Sequence, residues 1–118
     1  MKPGGYVYCT TSFRGFHRWP NAPSEVIHLR DRHRHTFYVK VVVKVTHANR
    51  DVEFQVLQKN VDQVIASEKF GNMERITDSR SCEQFAYILQ QKLKASGYTV
   101  AQVEVNEDNE NGAILVCQ

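Results

Sequence analysis

The clearest pattern in the chain is a strict alternation of side chains after residue 36. The apolar members lie two positions apart, at Phe37, Val39, Val41, Val43 and Val45. Successive side chains of a β-strand point to opposite faces, so this spacing predicts a long strand over residues 33–46 with one buried face. The opposite face carries Tyr38, Lys40, Val42, Lys44 and Thr46. It is mixed rather than polar, which predicts partial cover by another chain or sheet.

A stretch of strand-forming residues precedes this long strand. Residues 5–13 are mostly β-branched or aromatic and predict a first strand. Gly15 is expected to form a bulge or a bend behind it. Turn-forming residues at positions 20–24 then predict a loop, which continues to about residue 32.

Apolar side chains at helical spacing follow in the middle of the chain. The first set is Leu57, Val61, Val64 and Ile65. These residues fall on one helical face and predict a helix that starts at residue 54 or 55 and runs to residue 67. Residues 69–72 are expected to end this helix, and residues 73–80 to be irregular or briefly extended.

A second helix is indicated by signals at both of its ends. Ser81 and Gln84 have the spacing of a capping box. Gly97 stands where a helix C-terminus favours a left-handed residue. The apolar stripe between these signals is Phe85, Ile88, Leu89 and Leu93.

The end of the chain predicts a β-hairpin. Residues 98–106 and 113–117 read as strands, and residues 108–112 as their loop, with Asn111-Gly112 as the turn. The order is therefore strand, strand, helix, helix, strand, strand. It predicts a single α+β domain over residues 1–118, with two helices on one face of an antiparallel sheet.

Composition narrows the class of protein. The chain has 118 residues, 42% of them hydrophobic and 24% charged, and a formal net charge of +2. These values suit a globular protein and give no general attraction to nucleic acid or membrane surfaces. The three cysteines are widely spaced, which predicts free thiols. No apolar run approaches the roughly 20 residues of a membrane span, and no signal-peptide pattern is visible. These features predict a cytoplasmic protein.

Histidines mark the candidate chemistry. His33 and His35 lie two apart at the head of the long strand, on the same face as the buried valines. His17, in the preceding segment, is expected to supply a third imidazole from the neighbouring strand. Three protein ligands with an open fourth position are the layout of a catalytic zinc site.

These motifs resemble the 6-pyruvoyl- and 6-carboxy-tetrahydropterin synthase family, whose members have the T-fold. The family opens with a strand that ends in an aromatic residue, then two small residues and a His-Arg pair; the similar segment here is residues 13–18 (FRGFHR). A His-x-His at the head of a long strand is matched by residues 33–37 (HRHTF). Shorter matches are residues 52–54 (VEF), 81–84 (SCEQ) and 103–107 (VEVNE). The chain is thus similar to a divergent member of this family over nearly its whole length.

The resemblance implies a site and an assembly. The three histidines would hold Zn²⁺ as a Lewis acid, and Glu107 would accept hydrogen bonds from the guanidine-like edge of a pterin or purine-type ligand. Arg14 and Arg18, with Arg30 or Arg32 as alternatives, would bind a triphosphate. Family members form trimers that stack into hexamers and close their sheets into a barrel, with sites between subunits. A homo-oligomer is therefore expected here.

The acid–base residues of the family are not matched. The family has a cysteine shortly before the His-x-His and an Asp-His pair after the first helix, and this chain has neither. His28 and Asp31 are the candidates for proton transfer, with Glu68 as a further one. Two interpretations stay open: a divergent lyase-type enzyme, or a non-catalytic T-fold module that binds a pterin or nucleotide.

A third hypothesis comes from the basic segment over residues 30–35 (RDRHRH), which could contact nucleic-acid phosphates. The weak net charge and the acidic segment over residues 104–110 argue against nucleic acid as the partner.

Overall fold

Four antiparallel strands form one sheet in chain order. The strands are β1 (Gly5–His17), β2 (His33–Val45), β3 (Val100–Glu107) and β4 (Asn111–Val116). Two helices, α1 (Phe54–Glu68) and α2 (Cys82–Ala95), separate the hairpins in the chain and cover one face of the sheet. Helix α1 packs on β1, and α2 packs on β3 and β4. This arrangement confirms the predicted α+β class and the order of the elements.

The computed structural model describes residues 4–47, 49–70 and 79–117. The expectations for residues 71 and 72, at the end of the first helix, and for residues 73–78 lie outside these ranges. Within the described part of the chain, neither helix combines the length and the apolar character that a membrane crossing requires.

Strand β1 is longer than predicted. Its pairing with β2 runs without interruption from Gly5 opposite Val45 to His17 opposite His33. The predicted bulge or bend at Gly15 is therefore wrong, because this residue is buried and pairs in register with His35. The partner strand supplies a regular ladder to the end of β1, which outweighs the weak strand preference of glycine.

The core lies between the sheet and the helices. The alternating face of β2 is buried as predicted, and Phe37, the first of its buried residues, is fully buried. The Phe37 ring stacks on Phe13 at 5.2 Å between centroids and meets Phe85 of α2 edge-on at 5.5 Å. Other buried members are Val39, Val41, Val43, Leu57, Val61, Leu89, Leu93, Val103 and Val105. This core fixes the direction in which the β2 side chains beyond Phe37 must point.

Two local predictions differ from the structure. The predicted loop over residues 20–32 contains a 3₁₀ helix, Ser24–Arg30. The β3–β4 turn is made by Asp108 and Asn109, with φ values of 58° and 59°, and not by Asn111-Gly112. Gly112 lies within β4, where a Cβ atom would stand only 2.4 Å from the carbonyl oxygen of Val105. Glycine is needed there for close strand approach rather than for turning.

The sheet face opposite the helices keeps several large apolar side chains in solvent. Tyr6 and Tyr8 of β1, and Ile114 and Val116 of β4, are each more than half exposed. They alternate with residues that face the core. The sequence of β2 predicts an outer face of mixed polarity, and the exposed residues of β1 and β4 make this face more apolar than that prediction.

The N-terminus of α2 has the capping box that the sequence predicts. The Ser81 hydroxyl oxygen accepts from the Gln84 N–H at 3.2 Å, and the Gln84 side chain accepts from the Ser81 N–H at 2.9 Å. Replacing Ser81 by Ala is expected to lower the free energy of unfolding by about 1 kcal/mol, because one cap acceptor is lost. Urea denaturation measures this. Ser67→Ala, near the end of α1, is the control and should change little; equal losses would contradict the assignment.

Candidate metal centre

Three imidazoles meet at the end of the β1–β2 ladder. His17 and His33 are paired directly across the strands, and His35 follows two positions along the same face of β2. Ring centroids are 4.5 Å apart for His17–His33, 4.9 Å for His33–His35 and 5.5 Å for His17–His35. One nitrogen from each ring lies within 4.8 Å of the other two. The three nitrogens are therefore close enough together to be candidate ligands of one metal ion.

Backbone carbonyls orient two of these rings. Nδ1 of His17 lies 3.2 Å from the carbonyl oxygen of Arg80, and Nδ1 of His33 lies 2.8 Å from that of Asp31. A carbonyl oxygen can only accept, so Nδ1 carries the proton in each hydrogen bond. The lone pair of the neutral ring is then on Nε2. This is how outer-shell partners prepare histidines for metal binding.

A carboxylate orients the third ring. Nδ1 of His35 donates to Oδ2 of Asp108 at 2.6 Å, while Oδ1 of Asp108 accepts from the Thr36 N–H at 2.9 Å. The Asp108 N–H donates in turn to the Thr36 carbonyl at 2.8 Å. The hydrogen bond from His35 lowers the pKa of the Asp108 carboxyl. The sequence places Asp108 in an acidic hairpin loop and gives no sign of its contact with His35.

Glu107 faces the opposite side of the histidines. Its Oε1 is 3.1 Å from Nε2 of His17, and its Oε2 is 3.3 Å from Nε2 of His35. When both of its nitrogens are protonated, His17 donates from Nε2 to Glu107, and this hydrogen bond lowers the pKa of the Glu107 carboxyl against the raising effect of burial. The residue that the resemblance assigned to ligand binding therefore stands beside the predicted metal ligands.

Cys82, the first residue of α2, contacts the same carboxylate. Its Sγ donates to Oε1 of Glu107 at 3.8 Å. A helix N-terminus commonly lowers the pKa of a thiol. Here burial, followed by the charge of Glu107, raises the pKa of Cys82 to about 12. The thiol is thus neutral and acts as a hydrogen-bond donor.

The donor set fits a zinc ion. His17 and His35 have oxygen atoms beside both of their nitrogens, but a neutral imidazole carries only one proton. A second ring proton, or a metal ion between the Nε2 atoms and Glu107, would satisfy these contacts. Among the described residues, Nε2 of His35 is buried without a hydrogen-bond partner. Desolvation lowers the pKa of His33, which favours the neutral, metal-binding form. Imidazole nitrogens with a carboxylate oxygen are typical zinc ligands.

A cavity of about 570 Å³ opens beside the centre. Its lining includes His17, His33, Glu107 and Cys82, together with Arg18 and Trp19. Nε of Arg18 is buried and, within the described chain, has no hydrogen-bond partner. A small molecule in this cavity would therefore meet imidazole, carboxylate and guanidinium groups.

The other predicted site residues lie elsewhere. Arg14 is exposed on the opposite face of the sheet from His17, because the two are an odd number of positions apart on β1. His28 and Asp31 are exposed and do not belong to the described lining of the cavity. Glu68 forms ion pairs on the helix side of the sheet.

Arg30 and Arg32 make local contacts. Nε of Arg30 donates to the Ala22 carbonyl at 2.7 Å, and the Arg32 guanidinium lies 4.0 Å from the centre of the Phe16 ring. These contacts hold the segment between β1 and β2. Of the four candidate arginines, Arg18 is the one among the described lining residues of the cavity.

Comparison with known proteins identifies the fold. No protein-family model and no curated protein sequence matches the chain. The solved structure of 6-pyruvoyl tetrahydropterin synthase from Caenorhabditis elegans matches with 16% identity and a TM-score of 0.71, covering 98% of this chain and 97% of that one. An uncharacterized protein from Wolinella succinogenes matches with 13% identity and a TM-score of 0.72, covering 99% and 100%. The chain therefore has the tetrahydropterin synthase fold, the T-fold, as predicted.

Proposed function

We propose that this chain is a zinc-binding protein like the 6-pyruvoyl- and 6-carboxy-tetrahydropterin synthases, and that it binds or transforms a pterin or a purine-type nucleotide. The observation that carries the proposal is the convergence of His17, His33 and His35, each with its Nδ1 held by an oxygen acceptor. Zinc held there would supply Lewis acidity toward an oxygen of the ligand.

The cavity supports a small-molecule ligand. Its volume of about 570 Å³ suits a bicyclic ring with a side chain. The Glu107 carboxylate can accept hydrogen bonds from a guanidine-like ring edge. Arg18 can pair with phosphate or carboxylate groups of the ligand, since its guanidinium geometry matches both.

Metal content tests the proposal directly. Protein purified without added metal or chelator is expected to contain close to one zinc per chain, measured by elemental analysis. The variant His33→Ala/His35→Ala should lose it, because two of the three imidazoles are removed. The variant His28→Ala/His47→Ala removes two histidines elsewhere and should keep it. Wild-type protein that holds no zinc, even after zinc is offered, would end the metal-site proposal.

A non-catalytic binding function is the second candidate. It is favoured by the positions of His28 and Asp31 outside the described lining of the cavity, since proton transfer requires contact with the ligand. Zinc-loaded protein offered dihydroneopterin triphosphate separates the candidates. Turnover that His28→Ala or Asp31→Ala reduces supports a lyase. Tight binding without turnover supports a binding module.

The exposed outer face supports a homo-oligomer. Tyr6, Tyr8, Ile114 and Val116 would be covered if sheets from several chains closed into a barrel, and the edges of β1 and β4 would then be paired. We propose a trimer or hexamer on this basis.

Free thiols at Cys9, Cys82 and Cys117 suit a reducing compartment such as the cytoplasm.

A further inference from the structure

The distances from Glu107 to two of the histidines are those of hydrogen-bonded groups, and they also suit ligands that share an ion. Two ligands of a tetrahedral zinc, each bonded at about 2.0–2.1 Å, stand roughly 3.4 Å apart. The Glu107 oxygens lie 3.1 Å from Nε2 of His17 and 3.3 Å from Nε2 of His35. The carboxylate is thus already beside the nitrogens that would bind the metal.

Backbone and side-chain contacts keep Glu107 in this position. It is the last residue of β3 and pairs in register with Phe37, two positions from His35. The next residue, Asp108, contacts Nδ1 of His35. The carboxylates of two consecutive residues therefore contact the two nitrogens of one ring. The Cys82 thiol donates to Oε1 from the start of α2.

We propose that Glu107 is a fourth protein ligand of the zinc when the cavity holds no small molecule. The centre is then closed, in contrast to the open three-histidine site that the resemblance implies. This inference rests on the metal site proposed above. It also restricts the ligand class, because an entering molecule must supply both a donor atom for the metal and N–H donors for the released carboxylate. A simple anion supplies only the first.

Cobalt substitution tests this without any catalytic assay, because the visible absorption of Co²⁺ reports the number and type of its ligands. In the wild-type protein, thiocyanate is expected to leave the Co²⁺ spectrum unchanged. In Glu107→Ala, thiocyanate should bind and shift the spectrum, and Co²⁺ affinity should fall by at least about tenfold. Glu110→Ala removes a nearby carboxylate outside the described cavity lining and should behave as wild type.

Glu107→Gln preserves side-chain volume and decides the result if Glu107→Ala fails to fold; it should respond to thiocyanate in the same way as Glu107→Ala. Equal Co²⁺ affinities, with thiocyanate shifting the wild-type and variant spectra alike, would overturn the assignment of Glu107 while leaving the three-histidine site intact. Failure of wild type and variants alike to bind Co²⁺ would overturn both proposals.

Discussion

Removing the proposed zinc from the wild-type protein is expected to lower its free energy of unfolding by about 4 kcal/mol, for free zinc a thousandfold above its dissociation constant. The reason is that the three imidazoles come from two strands and converge only in the folded chain. An ion that binds the folded state alone stabilises it by mass action. For a chain of 118 residues, the expected drop in Tm is roughly 15 °C.

Thermal unfolding in zinc-buffered solution, with and without a chelator, measures this effect. The matched control is His33→Ala/His35→Ala, whose Tm should not respond to the chelator. His28→Ala/His47→Ala should respond as the wild type does. A wild-type Tm that is the same under both conditions would mean that the imidazoles hold no metal of structural consequence.

Asp108→Asn is expected to weaken zinc binding by about 10- to 100-fold. The carboxylate accepts the Nδ1 proton of His35 at 2.6 Å, which fixes the tautomer and makes Nε2 a stronger donor to a metal. The asparagine amide oxygen can still accept from the Thr36 N–H, so the hairpin should keep its shape. The amide NH2 group then replaces the oxygen that accepts from Nδ1 of His35, so the substitution removes both this acceptor and its negative charge.

Competition with a chelating dye measures the affinity. Glu110→Gln removes one negative charge from the same hairpin without a described contact to the histidines, and it controls for the general effect of charge. If Asp108→Asn and Glu110→Gln weaken binding equally, long-range electrostatics account for the change. If Asp108→Asn binds zinc as tightly as the wild type, the Asp108–His35 contact serves the hairpin alone.

The placement of the histidines follows from the periodicity of one strand. Residues two apart share a face, so the buried valines of β2 already determine the direction of His33 and His35. The position of His17 required the register of β1 against β2. The sequence predicts His17 as a third imidazole from the neighbouring strand, but the bend expected at Gly15 hides its direct pairing with His33.

The role of Asp108 could not be predicted from local sequence. It contacts a residue 73 positions away, through a register between β2 and β3 that includes a bulge next to Val42. A shift of one residue would turn the Asp108 side chain to the other face. Its neighbours are polar and acidic, which is equally typical of a solvated hairpin. The sequence predicts the β3–β4 turn at Asn111-Gly112, because glycine is typical of turns. In the structure Gly112 instead lies in β4, where it allows the strands to approach closely.

The pairing of His17 with His33 forms the last rung of the β1–β2 ladder, where the strands separate into the connecting segment. Ladder ends are the places where strands fray, and their amide hydrogens exchange with solvent first. A metal bound across this rung would keep the ends of β1 and β2 paired. Amides near Phe16 and Arg34 would then exchange only as often as the ion leaves. The residence time of the metal would thereby set how frequently the mouth of the cavity opens.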